Sequence, residues 1–192
     1  MSVQIKGTGN SVLGGADLGT PLAQASGGTG GNYPVYRMLL STPQTTNGAA
    51  FYDFLDVPSW CKRVTVMLNV VGSNGGSSFL VQTGDGTLVI TGYKSASVLS
   101  RNSGNGSAMS TAGFILQQYG ASFTHDGHVT ITKIDNNTWI ESHSISEGDS
   151  TIFTGAGSKT LSGALDRIRL TTVNGTDLFD GGTINCMYEG YL

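Results

Sequence analysis

Residues 63–71 carry the clearest pattern in the chain: Val64, Val66, Leu68 and Val70 fall on one side of an alternation, with Arg63, Thr65, Met67 and Asn69 on the other. A period of two belongs to a half-buried strand, so this run is predicted to be a core strand with Val64, Val66, Leu68 and Val70 inward. Comparable runs lie at 33–40, 50–55, 78–82, 87–93, 113–118, 128–134, 138–144, 166–173 and 183–188. Turn residues separate them: Ser73-Asn-Gly-Gly, Asp85-Gly86, Asp135-Asn-Asn, Asn174-Gly175 and Asp180-Gly-Gly. Gly and Asn there supply the positive φ that tight hairpins require. Asp85-Gly86, between 79–82 and 88–90, is the strongest hairpin signal. Pro58-Ser-Trp60 cannot continue a central ladder and is predicted to be a corner that drops Trp60 onto the end of the core. The polar-rich segment 96–112 reads as a loop or irregular edge. No stretch keeps a helical period beyond two turns, and no repeat of fixed period occurs. The expectation is an all-β fold, a two-sheet antiparallel sandwich, jelly-roll-like.

Ahead of residue 33 the pattern stops. Val3, Ile5, Val12, Leu13, Leu18 and Leu22 are spaced by glycine-rich polar runs and follow neither a helical nor a strand period. Burying six aliphatic side chains returns less than ordering so long a backbone costs, so this segment is expected to be an extended arm held by something else. Val3, Ile5 and Leu13 would enter shallow pockets on a partner, or the arm would add a strand to an exposed edge. Residues 24–32 join it to the remainder, with Gly27, Gly28, Gly30 and Gly31 as the hinge. The domain reading is therefore an attachment arm and linker at 1–32 and a β module at 33–192.

Composition narrows what the module meets. Charged residues make up 12% of the 192, half the usual share of about 25%, while glycine reaches 29 residues, so the surface is clothed in Ser, Thr, Asn and Gly. The net charge is −3 and the pI near 5.4, with ten Lys and Arg scattered singly. Neither a nucleic acid nor an anionic membrane is an expected partner. Met1-Ser-Val-Gln-Ile-Lys lacks the apolar run of a signal peptide, and no stretch nears the ~18 apolar residues of a membrane helix. The reading is synthesis in a bacterial cytoplasm. Cys61 and Cys186 belong to no Cys-x-x-Cys or Cys/His cluster and are expected to be buried free thiols.

Candidate chemistry is sparse. His125-Asp126-Gly-His128 is the one cluster of ionisable groups; on a strand end its two histidines face opposite ways, which spoils a metal pair unless a turn intervenes, and His143 on the next strand is the candidate third ligand. Satisfied or solvent-exposed loop histidines are the expectation. Asp177 and Asp180 suit turn capping, since calcium wants six or more oxygens. Glu141 is read as facing outward from its strand without the partner carboxylate that glycoside hydrolysis needs. No Gly-x-Ser-x-Gly elbow, Walker loop or dinucleotide fingerprint occurs, so the protein is expected to be non-enzymatic, without cofactor or metal. Tyr93, Tyr119 and Trp139 are candidates to stack on sugar rings; for Trp139, packing in the core is the competing expectation.

Several stretches resemble proteins of tailed-bacteriophage virions. Ala25-Ser-Gly-Gly-Thr-Gly-Gly is similar to a junction that recurs in their fibre proteins. Pro58-Ser-Trp-Cys-Lys-Arg-Val-Thr-Val-Met-Leu-Asn, Gly155-Ala-Gly-Ser-Lys-Thr-Leu-Ser-Gly and Leu165-Asp-Arg-Ile-Arg-Leu-Thr-Thr resemble a compact β module of such proteins. The block from Asn174-Gly-Thr-Asp-Leu-Phe-Asp-Gly-Gly through Thr-Ile-Asn-Cys-Met-Tyr-Glu does so most specifically. The resemblance implies a homotrimeric component of the virion exterior with no catalytic residues, either a head decoration or the tip of a tail fibre. About 32 residues precede the module, without heptads or shaft repeats, so the expectation is a head decoration or cement protein pinned by its arm to the major capsid protein or another virion subunit. The alternative is a short tail-fibre tip or adaptor that binds a host-surface polysaccharide.

Overall fold

The computed structural model describes residues 34–148 and 151–191, which form thirteen strands and no helix. Eight strands cross the larger antiparallel sheet in the order β1 (Tyr36–Leu40), β13 (Phe179–Tyr191), β4 (Cys61–Ser73), β9 (His125–Lys133), β10 (Thr138–Glu147), β11 (Thr151–Thr160), β6 (Lys94–Arg101) and β7 (Gly104–Ser110). A two-residue strand, β2 (Gln44–Thr45), also pairs with β13. The smaller sheet runs β3 (Phe51–Leu55), β12 (Arg167–Thr172), β5 (Phe79–Gly84) and β8 (Phe114–Leu116). The chain is thus an all-β, two-sheet antiparallel sandwich.

The core follows from alternation. Val64, Val66, Val129 and Ile131 of the large sheet have no exposed surface, and neither do Phe79, Val81, Phe114 and Leu170 of the small one. Phe179 bridges the layers, edge-to-face with Phe79 at 5.0 Å and with Tyr52 at 5.8 Å. Trp60, on the turn closed by the Cys61 N–H to the Pro58 carbonyl, packs against this cluster as a corner residue. Cys61 and Cys186 are both buried free thiols, pushed above the ordinary thiol range by burial.

Alternation on β4 breaks at Val70. Val70 is 49% exposed and Val71 is fully buried, the reverse of a continued period. Val70 has a φ of 54°, and pairing with β9 jumps from Leu68 to Val71. On the other side of β4, the register of β13 shifts twice between Phe179 and Thr183, and a Cβ on Gly182 would overlap the Val70 carbonyl. Asp180-Gly-Gly is therefore a bulge inside a long strand, not a turn between two. A β-branched residue in the left-handed region costs about 1–3 kcal/mol; here the Val70 N–H donates to Asp126 Oδ1 at 2.7 Å.

Three other expectations change. Residues 87–93 hold one isolated bridge, Leu88 to Gly84, because the segment wraps around the hydroxyl of Tyr93. The Asp85-Gly86 turn is present, but its second arm is that bridge. Residues 96–112 do lie at the sheet edge, but as a regular element, the β6–β7 hairpin, rather than a loop. Finally, β11 occupies a stretch where no strand is predicted.

Candidate functional site

Inside the sandwich, Ser97 on β6 and His143 and Glu141 on β10, with β11 between the two strands, line up as a nucleophile, a base and an orienting acid. Ser97 Oγ on β6 lies 3.0 Å from His143 Nε2 on β10, and His143 Nδ1 lies 2.7 Å from Glu141 Oε1. The imidazole reaches over β11, where Gly155 sits between His143 and Ser97 in the register; a Cβ there would overlap the ring. Glu141 is 3% exposed, contrary to the outward orientation expected, and Glu141 Oε2 has no partner. Beyond the Ile145 row, Glu147 pairs across with His125. His125 Nε2 donates to the Gln117 carbonyl at 2.9 Å, and Glu147 Oε1 is 3.8 Å away. Burial holds the His125 imidazole below its ordinary range and pushes the Glu147 carboxyl above its own. His125 is therefore a core residue of β9 rather than a loop histidine, while His128 faces out.

The Ser–His–Glu order is that of acyl transfer, but such chemistry needs a reacting carbon about 3 Å from the serine oxygen. Ser97 and the side chains of His143 and Glu141 have no accessible surface. The constellation acts as a buried hydrogen-bonded tie between strands. Among the described residues, no three His, Cys, Asp or Glu side chains converge to hold a metal. Asp177 caps a turn, accepting from the Ser77 N–H and the Asn174 amide.

Two of the three candidate sugar-stacking rings are occupied structurally. Tyr93 is 2% exposed, its hydroxyl accepting from the Thr83 N–H at 2.7 Å and donating to the Val89 carbonyl at 2.9 Å. Trp139 is also 2% exposed, so neither ring offers a face to a ligand. Tyr119 alone is open, at 55%. The arm residues Val3, Ile5, Val12, Leu13, Leu18 and Leu22 and the hinge glycines Gly27, Gly28, Gly30 and Gly31 lie outside the described residues.

The feature with room for a partner is the outer face of the large sheet. One cross-strand row reads Leu40, Met187, Thr65, Thr130, Ser142, Ala156, Ala96, Met109 across all eight strands of the path. The next reads Asn185, Met67, His128, Ser144, Thr154, Val98, Ser107. Neither row contains Asp, Glu, Lys or Arg. Charges lie elsewhere, as in the Arg169–Asp53 pair that joins β12 to β3 at 2.6 Å. With strands about 4.8 Å apart and rows about 7 Å apart, the uncharged band spans roughly 34 by 14 Å, over half of the ~800 Å² each partner commonly buries. At one end stands β1, whose Tyr36, Met38, Leu39 and Leu40 are all about half exposed or more. At the other is a shallow apolar hollow of about 770 Å³ over β11, β6 and β7, lined by Ala96, Met109 and Ala156 among others. Periodicity marked inward positions well and left this face unread, because Ser, Thr and Ala in single file carry no distinctive spacing. Comparison with family models, curated proteins and solved structures finds no match for this chain.

Proposed function

We propose that this chain is a non-enzymatic structural protein of a tailed-phage virion. It is a homotrimer displayed on the exterior and pinned by its N-terminal arm to the major capsid protein or another virion subunit, as a head decoration or cement protein would be. The observation that carries this reading is the uncharged band ending in an apolar edge strand. An edge strand bearing exposed aliphatic and aromatic side chains is a template for association unless something covers it. Bulk at one end of the band (Leu40, Met187) suits the hollow at the other, and contact between unlike patches is heterologous, closing into a ring when the rotation permits. The likeness of 58–69, 155–163, 165–172 and 174–189 to modules of phage virion proteins, and the jelly-roll-like reading of the module, point the same way.

Light scattering on the purified full chain tests the assembly. The expected mass is three times 19.9 kDa. Leu40→Lys, which sets an ammonium into the band, should reduce it to one chain with an unchanged circular dichroism spectrum. A wild-type monomer, or a trimer indifferent to both Leu40→Lys and Ala156→Arg, overturns the proposal. Densitometry of purified particles then separates the two locations: hundreds of copies for a head decoration, a few dozen at most for a tail component.

A further inference from the structure

At one end of the sandwich, the loop between β8 and β9 presents two aromatic rings to solvent. Tyr119 is 55% exposed and Phe123 is 38% exposed, with ring centroids 5.9 Å apart at an interplanar angle of 63°. The Arg101 guanidinium, from the end of β6, lies over the Tyr119 ring, its carbon 3.9 Å from the centroid. Exposed aromatics on a slack loop would mean little, but this loop is held at every turn. The Gln117 carbonyl accepts from His125, and the Gln118 amide donates to the carbonyls of Gly75 at 2.8 Å and Gly120 at 3.1 Å. The Tyr119 N–H donates to Glu147 Oε1 at 2.8 Å, and the Phe123 N–H closes onto the Gly120 carbonyl at 3.2 Å. Glu147 is itself 2% exposed. A buried carboxylate thus fixes the backbone from below while the rings remain outside, although burying each would return roughly 1.5–3 kcal/mol.

Polar side chains flank this platform: Asn102, Ser103 and Ser122 are exposed, and Thr124 is half-buried. The platform also lies far from where the chain enters the module. Tyr36 pairs with Tyr191 beside the start of β4, whereas the Phe123 carbonyl adjoins Gly72 near the end of that thirteen-residue strand, about 40 Å along it.

We infer that Tyr119, Phe123 and Arg101 form a carbohydrate-binding platform for a hexopyranose unit. The apolar C–H face of a pyranose lies on the Tyr119 ring with its edge against Phe123, as an aromatic face favours an apolar body with polar margins. The Arg101 N–H groups donate to the oxygens around the sugar ring. Rigid rings on a pre-organised loop lose little entropy on binding, which suits the weak single-site contacts that multivalent display amplifies. Two rings and one cation give too small an apolar area for a protein partner, and one arginine is no footprint for nucleic acid. The platform is complete within one chain, so it stands apart from the trimeric assembly proposed above.

Saturation-transfer difference NMR on the full chain tests this with methyl glycosides of glucose, galactose, mannose, rhamnose, N-acetylglucosamine and glucuronic acid. At least one should receive saturation on its ring C–H protons. Tyr119→Ala should weaken its binding roughly tenfold and Arg101→Gln measurably, with Tyr119→Phe retaining most of it. Ile90→Ala, at an exposed residue outside both the platform and the uncharged band, is the control and should change nothing. Because Tyr119 is exposed, its variants should keep the wild-type melting temperature. Absence of transfer to every glycoside, or transfer that survives the Tyr119→Ala/Phe123→Ala double variant, overturns the inference.

Discussion

His125 lies with no exposed surface between Phe79, whose ring centroid is 4.5 Å away, and Phe153, stacked at 5.7 Å. Its environment favours the neutral imidazole, so the folded value lies below the unfolded value of about 6.5. The sign of the linkage follows. Above about pH 6.5 both states are neutral at this site and the fold keeps its full stability; as the pH falls below that, the unfolded chain takes up the proton first. Each unit of depression is then worth about 1.4 kcal/mol of lost stability. Glu147, facing the same ring with its pKa raised, works the other way at lower pH, because its folded form accepts a proton above the ordinary carboxylate range. The urea midpoint should therefore fall between pH 7 and pH 5.5, and His125→Gln, which keeps a donor for the Gln117 carbonyl, should flatten that slope whatever it does to absolute stability. An unchanged slope would show that another group controls the window. Little of this was legible in the sequence, where His125 reads as a loop residue because its strand is predicted to begin at His128.

At the scale of elements, the strands that the sequence conceals are those whose inward positions are not hydrophobic. On β6 two of the inward residues are Ser95 and Ser97, the first accepting from the Ile115 N–H at 2.9 Å and the second bonded to His143. On β11 two are Gly155 and Gly157, small because the His143 and Phe114 rings occupy the space above them. A pattern search rewards apolar alternation, so it finds β4 and β10 and passes over these. Conversely, the apolar run Leu88-Val-Ile earns a strand assignment that the structure withholds, its backbone bent around the Tyr93 hydroxyl. The glycine stripe makes a sharp prediction. Gly155→Ala should cost about 2–3 kcal/mol in chemical denaturation, since the new methyl overlaps both the His143 ring and the Ala96 carbonyl oxygen, and the latter is backbone that cannot rotate away. Thr154→Ala, its exposed neighbour, should stay within about 0.5 kcal/mol of wild type.

For the whole molecule, the division at residue 33 has an experimental consequence. On the proposed reading, three arms on one trimer would raise their mutual effective concentration, so that individually weak contacts of Val3, Ile5 and Leu13 would become long-lived together. Deleting residues 1–23 should leave a folded trimer, with its circular dichroism and mass per subunit otherwise unaltered, that no longer co-sediments with particles. Undiminished incorporation of the truncated protein would remove the arm from the attachment mechanism. The sandwich itself was readable from alternation and turn chemistry; the uncharged outer face of the large sheet was not, since Ser, Thr and Ala in single file leave no distinctive period. The two buried thiols bear on endurance. Pushed upward by burial, Cys61 and Cys186 hold almost no thiolate, the form that reacts with oxidants and disulfides. The folded chain should therefore keep both thiols through exposure to an oxidising buffer, with two free sulfhydryls titrating only after denaturation.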